Sequence, residues 1–179
     1  MKVLLDTCVL YPTVMRSVLL GVAARGLFTP LWSDHILEEW ARAARKIGPA
    51  GEAQARAEIA VTSAQWPVAS VVWPERLANR LWLPDPSDIH VLAAAIAGSA
   101  DVIVTLNAAD FPRNVLAEEG LSRADPDAFL HGLWRAQPGL VAEAAEAVLA
   151  EARRLSGEDW RMRPLLKKAR LPRLAKALG

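Results

Sequence analysis

The stretch WLPDPSDIHVLAAAIAGSADVIVTLNAADFP, Trp82 to Pro112, sets two segments built for burial between carboxylates. Asp88 to Ala97 is apolar on Ile89, Val91, Leu92, Ala93, Ala95 and Ile96, so nearly every face of the helix it predicts must be covered. Val102 to Leu106 is short and β-branched, the pattern of an interior strand. Asp85, Asp88, Asn107 and Asp110 are left at the ends of these two elements. The opening residues, MKVLLDTCVLYP, repeat the arrangement: the apolar run Val3 to Leu5 leads straight into Asp6.

The same alternation continues outward. Strand-like runs at Val3–Leu5, Thr29–Trp32, Val68–Val72 and Val102–Leu106 are separated by segments with helical spacing. Helices are predicted over Val14–Gly26, with Gly26 as the stop, and over His35–Lys46, capped by Ser33 or Asp34. Further helices follow at Glu52–Gln65, at PERLANRLW with its proline at the first helical position, and at Asp88–Ala97. Alternating strands and helices predict the α/β class, with a parallel sheet between helical layers. In such sheets ligands bind outside the carboxyl ends of the strands, the edge to which Asp6 and Asn107 fall. Beyond residue 125 strand signals stop and helices are predicted at Pro126–Trp134, Gly139–Leu155 and Pro164–Leu178. The expected organisation is therefore a domain over 1–125 and a helical appendage over 126–179.

Composition narrows the classes. A chain of 179 residues, 53% hydrophobic, can bury roughly 70% of its unfolded surface in one main core. Cys8 alone allows no internal disulfide, and with three histidines there are too few ligands for a structural zinc site. No segment has the ~18 uninterrupted apolar residues of a membrane span, and the N-terminus lacks a secretory apolar region, so a cytoplasmic protein is expected. Charge is unevenly divided. Residues 151–179 hold nine Lys/Arg against three acids, a net +6; the chain totals of 21 basic and 20 acidic residues leave twelve and seventeen for the front, a net −5. A basic tail beside an acidic site is compatible with nucleic acid, and equally with a solvated helical face. Most of the seven tryptophans are expected to be packing anchors rather than base-stacking platforms.

The sheet prediction gathers Asp6, a carboxylate from DHILEEW, Asp88 and Asp110 near one edge. Two carboxylates ~5 Å apart repel by roughly 3 kcal/mol at an effective dielectric of ~20, so such a group calls for protons or a cation. Hard oxygen donors without His or Cys favour Mg²⁺ or Mn²⁺ over Zn²⁺, and phosphodiester hydrolysis is the chemistry such ions serve. Each residue also has a plainer explanation: Asp6 and Asn107 as turn residues, Asp88 or Ser87 as a helix cap, Asp110 as a cap ahead of Pro112. Of Glu38 and Glu39, one must face solvent, because neighbours on a helix point about 100° apart.

Taken in order, LLDTCVL, ILEEW, DPSDIHVLAAAIAGSADVIVT and VTLNAADF resemble the PIN-domain ribonucleases, particularly the VapC-like toxins of toxin–antitoxin pairs, over roughly residues 1–125. The resemblance implies an α/β/α sandwich and metal-dependent endonucleolytic cleavage of RNA with Mg²⁺ or Mn²⁺. It implies Asp6, Glu39, Asp88 and Asp110 as catalytic acids, with Asp6, Asp88, Asn107 and Asp110 holding the metal. Thr7, Asp85 and Thr105 are implied as outer neighbours. Cleavage by water would leave a 5′-phosphate and a 3′-hydroxyl. The family also implies a homodimer and a small antitoxin partner, and the helical C-terminus with LPRLAKAL is similar to an extension in some of these toxins. Two positions depart from the pattern: Cys8 stands where many relatives have Asn or Ser, and Asn107 brings no charge to the fourth position.

Other classes fit less well. A haloacid-dehalogenase-like phosphatase needs a second Asp two residues after the first, where this chain has Cys8. No Gly-x-Ser-x-Gly, GxGxxG or P-loop occurs, and His35, His90 and His131 lack a nucleophile partner. His90, on the apolar helix, reads as a packing residue. A catalytically attenuated PIN-like module that binds RNA or an antitoxin is the alternative that Asn107 favours.

Overall fold

The computed structural model describes residues Met1–Gly179. In chain order the elements are β1 (Lys2–Leu5), α1 (Thr7–Leu10), α2 (Thr13–Ala24), β2 (Thr29–Leu31), α3 (Asp34–Ala43), α4 (Pro49–Gln65), α5 (Glu75–Asn79) and α6 (Ile89–Ala97). They continue as β3 (Val102–Val104), α7 (Arg113–Glu118), β4 (Ser122–Ala124), α8 (Pro126–Ala136), α9 (Pro138–Ser156), α10 (Met162–Lys168) and α11 (Pro172–Leu178). By their contacts they form two compact units, Met1–Tyr11 with Thr29–Ala124, and Pro12–Phe28 with Asp125–Gly179. The helix Thr13–Ala24 thus groups with the C-terminal helices, although it lies far from them in sequence.

In the first unit all four strands pair in parallel, in the order β2-β1-β3-β4. Leu4 stands opposite Leu31 on one side and Ile103 on the other, and Val3, Leu4, Leu5, Ile103 and Val104 are fully buried. Burial of successive residues, on both faces, is what a parallel sheet covered by helices demands. The apolar helix α6 packs on β1 and buries His90 through Ala95. The architecture is the α/β one expected, a parallel sheet flanked by helices and followed by further helices. Order matters for function here. From β1 the chain proceeds to β2 on one side, and from β3 it proceeds to β4 on the other, so the connections diverge and leave a crevice at the carboxyl ends of β1 and β3.

Several expectations are corrected, among them the place of Pro74, which stands at the N-cap of α5 and not at its first helical position. Val68–Val72 is not a strand: Ser70 makes a single bridge to Trp32, while Val68 and Val72 are 79% and 88% exposed. β-branched residues without a covered face make an edge contact and no more. β4, by contrast, reads Ser-Arg-Ala and carries no apolar signal; its pairing with β3 alone makes it a strand. The helix expected over Pro164–Leu178 is broken, with Arg170 in the left-handed region at φ 63° and Pro172 opening α11. Proline lacks the N–H to continue a helix and drives the residue before it out of the helical region.

In the second unit α2 runs along α9, where a Cβ at Gly21 would stand 3.5 Å from that of Ala144. Phe28 meets Phe129 edge-on at 5.2 Å. The buried Asp127 caps α11, accepting from the backbone N–H of Arg173 at 2.8 Å and of Leu174 at 3.0 Å. Part of the basic tail is engaged internally: Arg154 pairs with Glu151, Arg153 donates to the Trp160 carbonyl, and the Lys168 ammonium lies 5.0 Å from the Trp160 ring centre. No helix is long and apolar enough to cross a membrane.

Candidate functional site

The crevice is built from the residues that follow the strands. Asp6 is the first residue past β1 and is 4% exposed. Its Oδ1 accepts the Thr7 N–H at 2.7 Å, capping α1, and its Oδ2 accepts the Thr105 hydroxyl at 2.8 Å and the Cys8 thiol at 3.3 Å. Thr105 is the first residue past β3, so its bond to Asp6 ties the two central strands together at their ends. Burial pushes the Asp6 carboxyl above its ordinary range, hydrogen bonds from Thr105, Cys8 and Thr7 oppose that, and the charge of Glu39 adds to it. Burial and the neighbouring Asp6 push the Cys8 thiol up to about 12, so it stays protonated and donates. Its sulfur in turn accepts the Leu106 N–H at 3.2 Å. Cys8 therefore links β1 and β3 a second time.

α3 carries the two adjacent glutamates to opposite fates. Glu38 faces outward, bonded by Arg56 at 3.0 Å and Arg42 at 3.3 Å, and these guanidiniums hold it down at about 2. Glu39 faces the crevice, where its Oε2 accepts the Thr7 hydroxyl at 2.8 Å and its Oε1 lies 2.8 Å from His90 Nε2. Burial would raise Glu39, but the bonds from His90 and Thr7 and the two nearby imidazoles hold it below its ordinary value.

Asp88 ends a 3₁₀ turn ahead of α6, and its side chain makes no capping bond. The plain helix-cap explanation for it is therefore not realised. Burial, then the charges of Asp6, Asp85, Asp110 and Glu39, push its carboxyl up to about 6. Asp85 is the residue that caps, accepting the backbone N–H of Ser87 at 2.9 Å and its hydroxyl at 2.7 Å, bonds that hold it below its ordinary value. Asp110 ends another 3₁₀ turn and caps no helix either; the cap of α7 is Pro112. Asn107 is exposed, and its backbone N–H donates to Thr105 Oγ1 at 3.0 Å.

A family model described as the PIN domain matches residues 2–109. The chain belongs to the PIN-domain family. PIN domains are generally metal-dependent nucleases that bind Mg²⁺ or Mn²⁺. Comparison with curated proteins and with solved structures finds no match. The matched stretch of the PIN domain takes in Asp6, Glu39, Asp88 and Asn107 and stops just short of Asp110. Its acidic side chains suit a hard divalent cation: carboxylate oxygens dominate, and Asp88 is raised first by burial and then by neighbouring carboxylates, whose charge a cation would offset.

Two residues of this PIN domain, read in the sequence as histidines without a nucleophile partner, stand beside Glu39. His90 is buried at 5% exposure as expected of a packing residue, yet its Nε2 meets Glu39. His35 stacks flat on His90, ring centres 3.8 Å apart and planes within 4°, with its Nε2 3.8 Å from Glu39 Oε1. The i, i+4 spacing of His35 and Glu39 on a helix was the available signal. Trp82, three residues ahead of Asp85, is 63% exposed, whereas Trp32 and Trp40 are core residues.

Proposed function

We propose that this chain is a metal-dependent endoribonuclease, the toxin of a toxin–antitoxin pair, acting in the cytoplasm. What supports the reading is the pair Asp6 and Glu39, joined through Thr7 at the carboxyl edge of a PIN-type sheet, with Asp88 raised first by burial and then by the charges of Asp6, Asp85, Asp110 and Glu39. In this reading Asp6, Asp88 and Asp110, with the amide oxygen of Asn107, hold Mg²⁺ or Mn²⁺. The ion, when bound, neutralises negative charge on the phosphate and lowers the pKa of water.

The remaining steps belong to side chains. Thr105, Cys8 and Thr7 fix the Asp6 carboxylate, so its donor atoms need little reorganisation. Glu39, gripped on one oxygen by Thr7 and on the other by His90, orients a water and accepts its proton. That water attacks phosphorus in line. The bond from phosphorus to the 3′-oxygen breaks, the departing oxygen takes a proton from solvent, and a 5′-phosphate and a 3′-hydroxyl remain. Residues 1–125 supply this chemistry, and the basic segment 126–179 follows the RNA backbone or docks the antitoxin, with a homodimer as the working assembly.

Asn107 supports a second reading, an attenuated module that binds RNA or antitoxin, because an amide brings no charge to the cation. Cleavage of labelled RNA with Mg²⁺, Mn²⁺ or chelator, beside Asp6→Asn, separates the two. Metal-dependent cutting lost in the variant supports the nuclease; RNA binding with no cutting across a broad RNA panel supports the module.

A further inference from the structure

We propose that His35, Glu39 and His90 form a transition-metal site of two imidazoles and one carboxylate, separate in its ligands from the oxygen-donor group and taking from the proposed reaction only its base, Glu39. Their donor atoms lie within 4.8 Å of one another. Around a metal with bonds of roughly 2.0–2.2 Å, neighbouring donors stand about 3.0–3.4 Å apart. His90 Nε2 and Glu39 Oε1, at 2.8 Å, need to open by a few tenths of an ångström, and His35 Nε2 and Glu39 Oε1, at 3.8 Å, need to close by a similar amount. His35 has half of its side chain exposed, which leaves it room to tilt off the parallel stack.

The fixed members of the site come from different places. His35 and Glu39 occupy one face of α3, one turn apart, and His90 comes from the first turn of α6. His90 Nδ1 is buried without a hydrogen-bond partner. With the ring hydrogen on Nε2 that nitrogen is an unsatisfied acceptor, and with it on Nδ1 an unsatisfied donor. Moving the hydrogen to Nδ1 therefore gives up only the bond to Glu39, and a metal between Nε2 and Oε1 replaces that bond. Two imidazole nitrogens and one carboxylate oxygen, with solvent filling the open positions beside half-exposed His35, suit Zn²⁺, Co²⁺ or Ni²⁺ rather than Mg²⁺.

Glu39 can serve only one arrangement at a time. An ion held here draws Glu39 away from the water it orients, so Zn²⁺ inhibits cleavage driven by Mg²⁺. The inhibition rests on the nuclease reading; the binding does not.

The test is titration of the full-length, chelator-treated protein with Co²⁺, followed by visible absorption, and with Zn²⁺ by calorimetry. His35→Ala, His90→Gln and Asp88→Asn are compared, each checked for folding by circular dichroism. The expected result is one tight Zn²⁺ per chain with affinity lowered about tenfold or more in His35→Ala and His90→Gln, and unchanged in Asp88→Asn. Zn²⁺ inhibition of RNA cleavage is expected in the wild type and absent in His35→Ala. No Zn²⁺ binding by the wild type, unchanged affinity in folded His35→Ala, or loss in Asp88→Asn as large as in His35→Ala overturns the site. Binding that depends on His35 in a protein that cuts no RNA sustains the site and counts against the nuclease reading alone.

Discussion

The Thr105 hydroxyl donates to Asp6 Oδ2 at 2.8 Å, joining the first residue beyond β1 to the first beyond β3. These strands are neighbours whose onward connections diverge, so this bond spans the floor of the crevice. Both partners are almost fully buried.

Thr105→Val keeps the shape and removes the donor. A hydrogen bond to a charged, buried group contributes about 1.5–3 kcal/mol, so urea denaturation at pH 7 is expected to show a loss of that order. The Asp6 carboxyl also rises further, and Mn²⁺ affinity measured by calorimetry falls. Unchanged stability and affinity would mean that the bond contributes nothing.

Asp88 makes the apo protein sensitive to pH between about 4 and 6. Its folded-state value of about 6 lies above the ordinary 3.8, so the folded protein binds the proton more tightly than the unfolded chain. Stability from this group is therefore lost as pH rises through that window. In chelator, Asp88→Asn is expected to raise the melting temperature at pH 7 and to leave it nearly unchanged at pH 4. Divalent cations compete with the same proton, so Mn²⁺ affinity of the wild type drops as pH falls below about 6.

Glu39→Gln and Glu38→Gln differ by one position and by about 100° around α3. Loss of a group that accepts a proton in the reaction costs about 10²–10⁴-fold in rate. Glu39→Gln is expected to lower RNA cleavage within that range, whereas Glu38→Gln, bonded to Arg42 and Arg56 on the outer face, leaves it unchanged. Equal losses in the two variants would defeat the assignment.

Asn107→Asp adds a charge to the oxygen-donor group. Mn²⁺ affinity is expected to rise by about tenfold, equivalent to ~1.4 kcal/mol. A fall in affinity, or no change, would mean that position 107 does not face the ion.

Asp127→Ala leaves the first turn of α11 without its side-chain acceptor. Cap removal costs about 0.5–2 kcal/mol, and the burial of Asp127 puts this site at the upper end. Thermal melting is expected to shift downward, while Mn²⁺ affinity stays as in the wild type.

Periodicity and punctuation along the chain were enough to establish the element types that frame the crevice. Val3–Leu5 and Val102–Leu106 read as interior strands, realised as Lys2–Leu5 and Val102–Val104, and Asp88–Ala97 as a covered helix, because a largely apolar segment leaves little surface fit for water. The order of Asp6, the glutamate pair, Asp88 and Asp110 was legible too, with the resemblance to PIN domains. Local pattern could not say which of Glu38 and Glu39 turns inward; the phase of α3 and the arginines that hold Glu38 outside decide that. Nor could it tell a capping Asp85 from a non-capping Asp88, identify Ser122–Ala124 as a strand, or reject Val68–Val72. The capping is settled by the local turn, in which Ser87 bonds to Asp85, whereas the two strand outcomes depend on which sheet edge each segment meets, and those partners lie about twenty to forty residues away. The stack of His35 on His90 beside Glu39 is the same kind of fact: 55 positions separate the two rings, and only the packing of α3 and α6 brings them face to face.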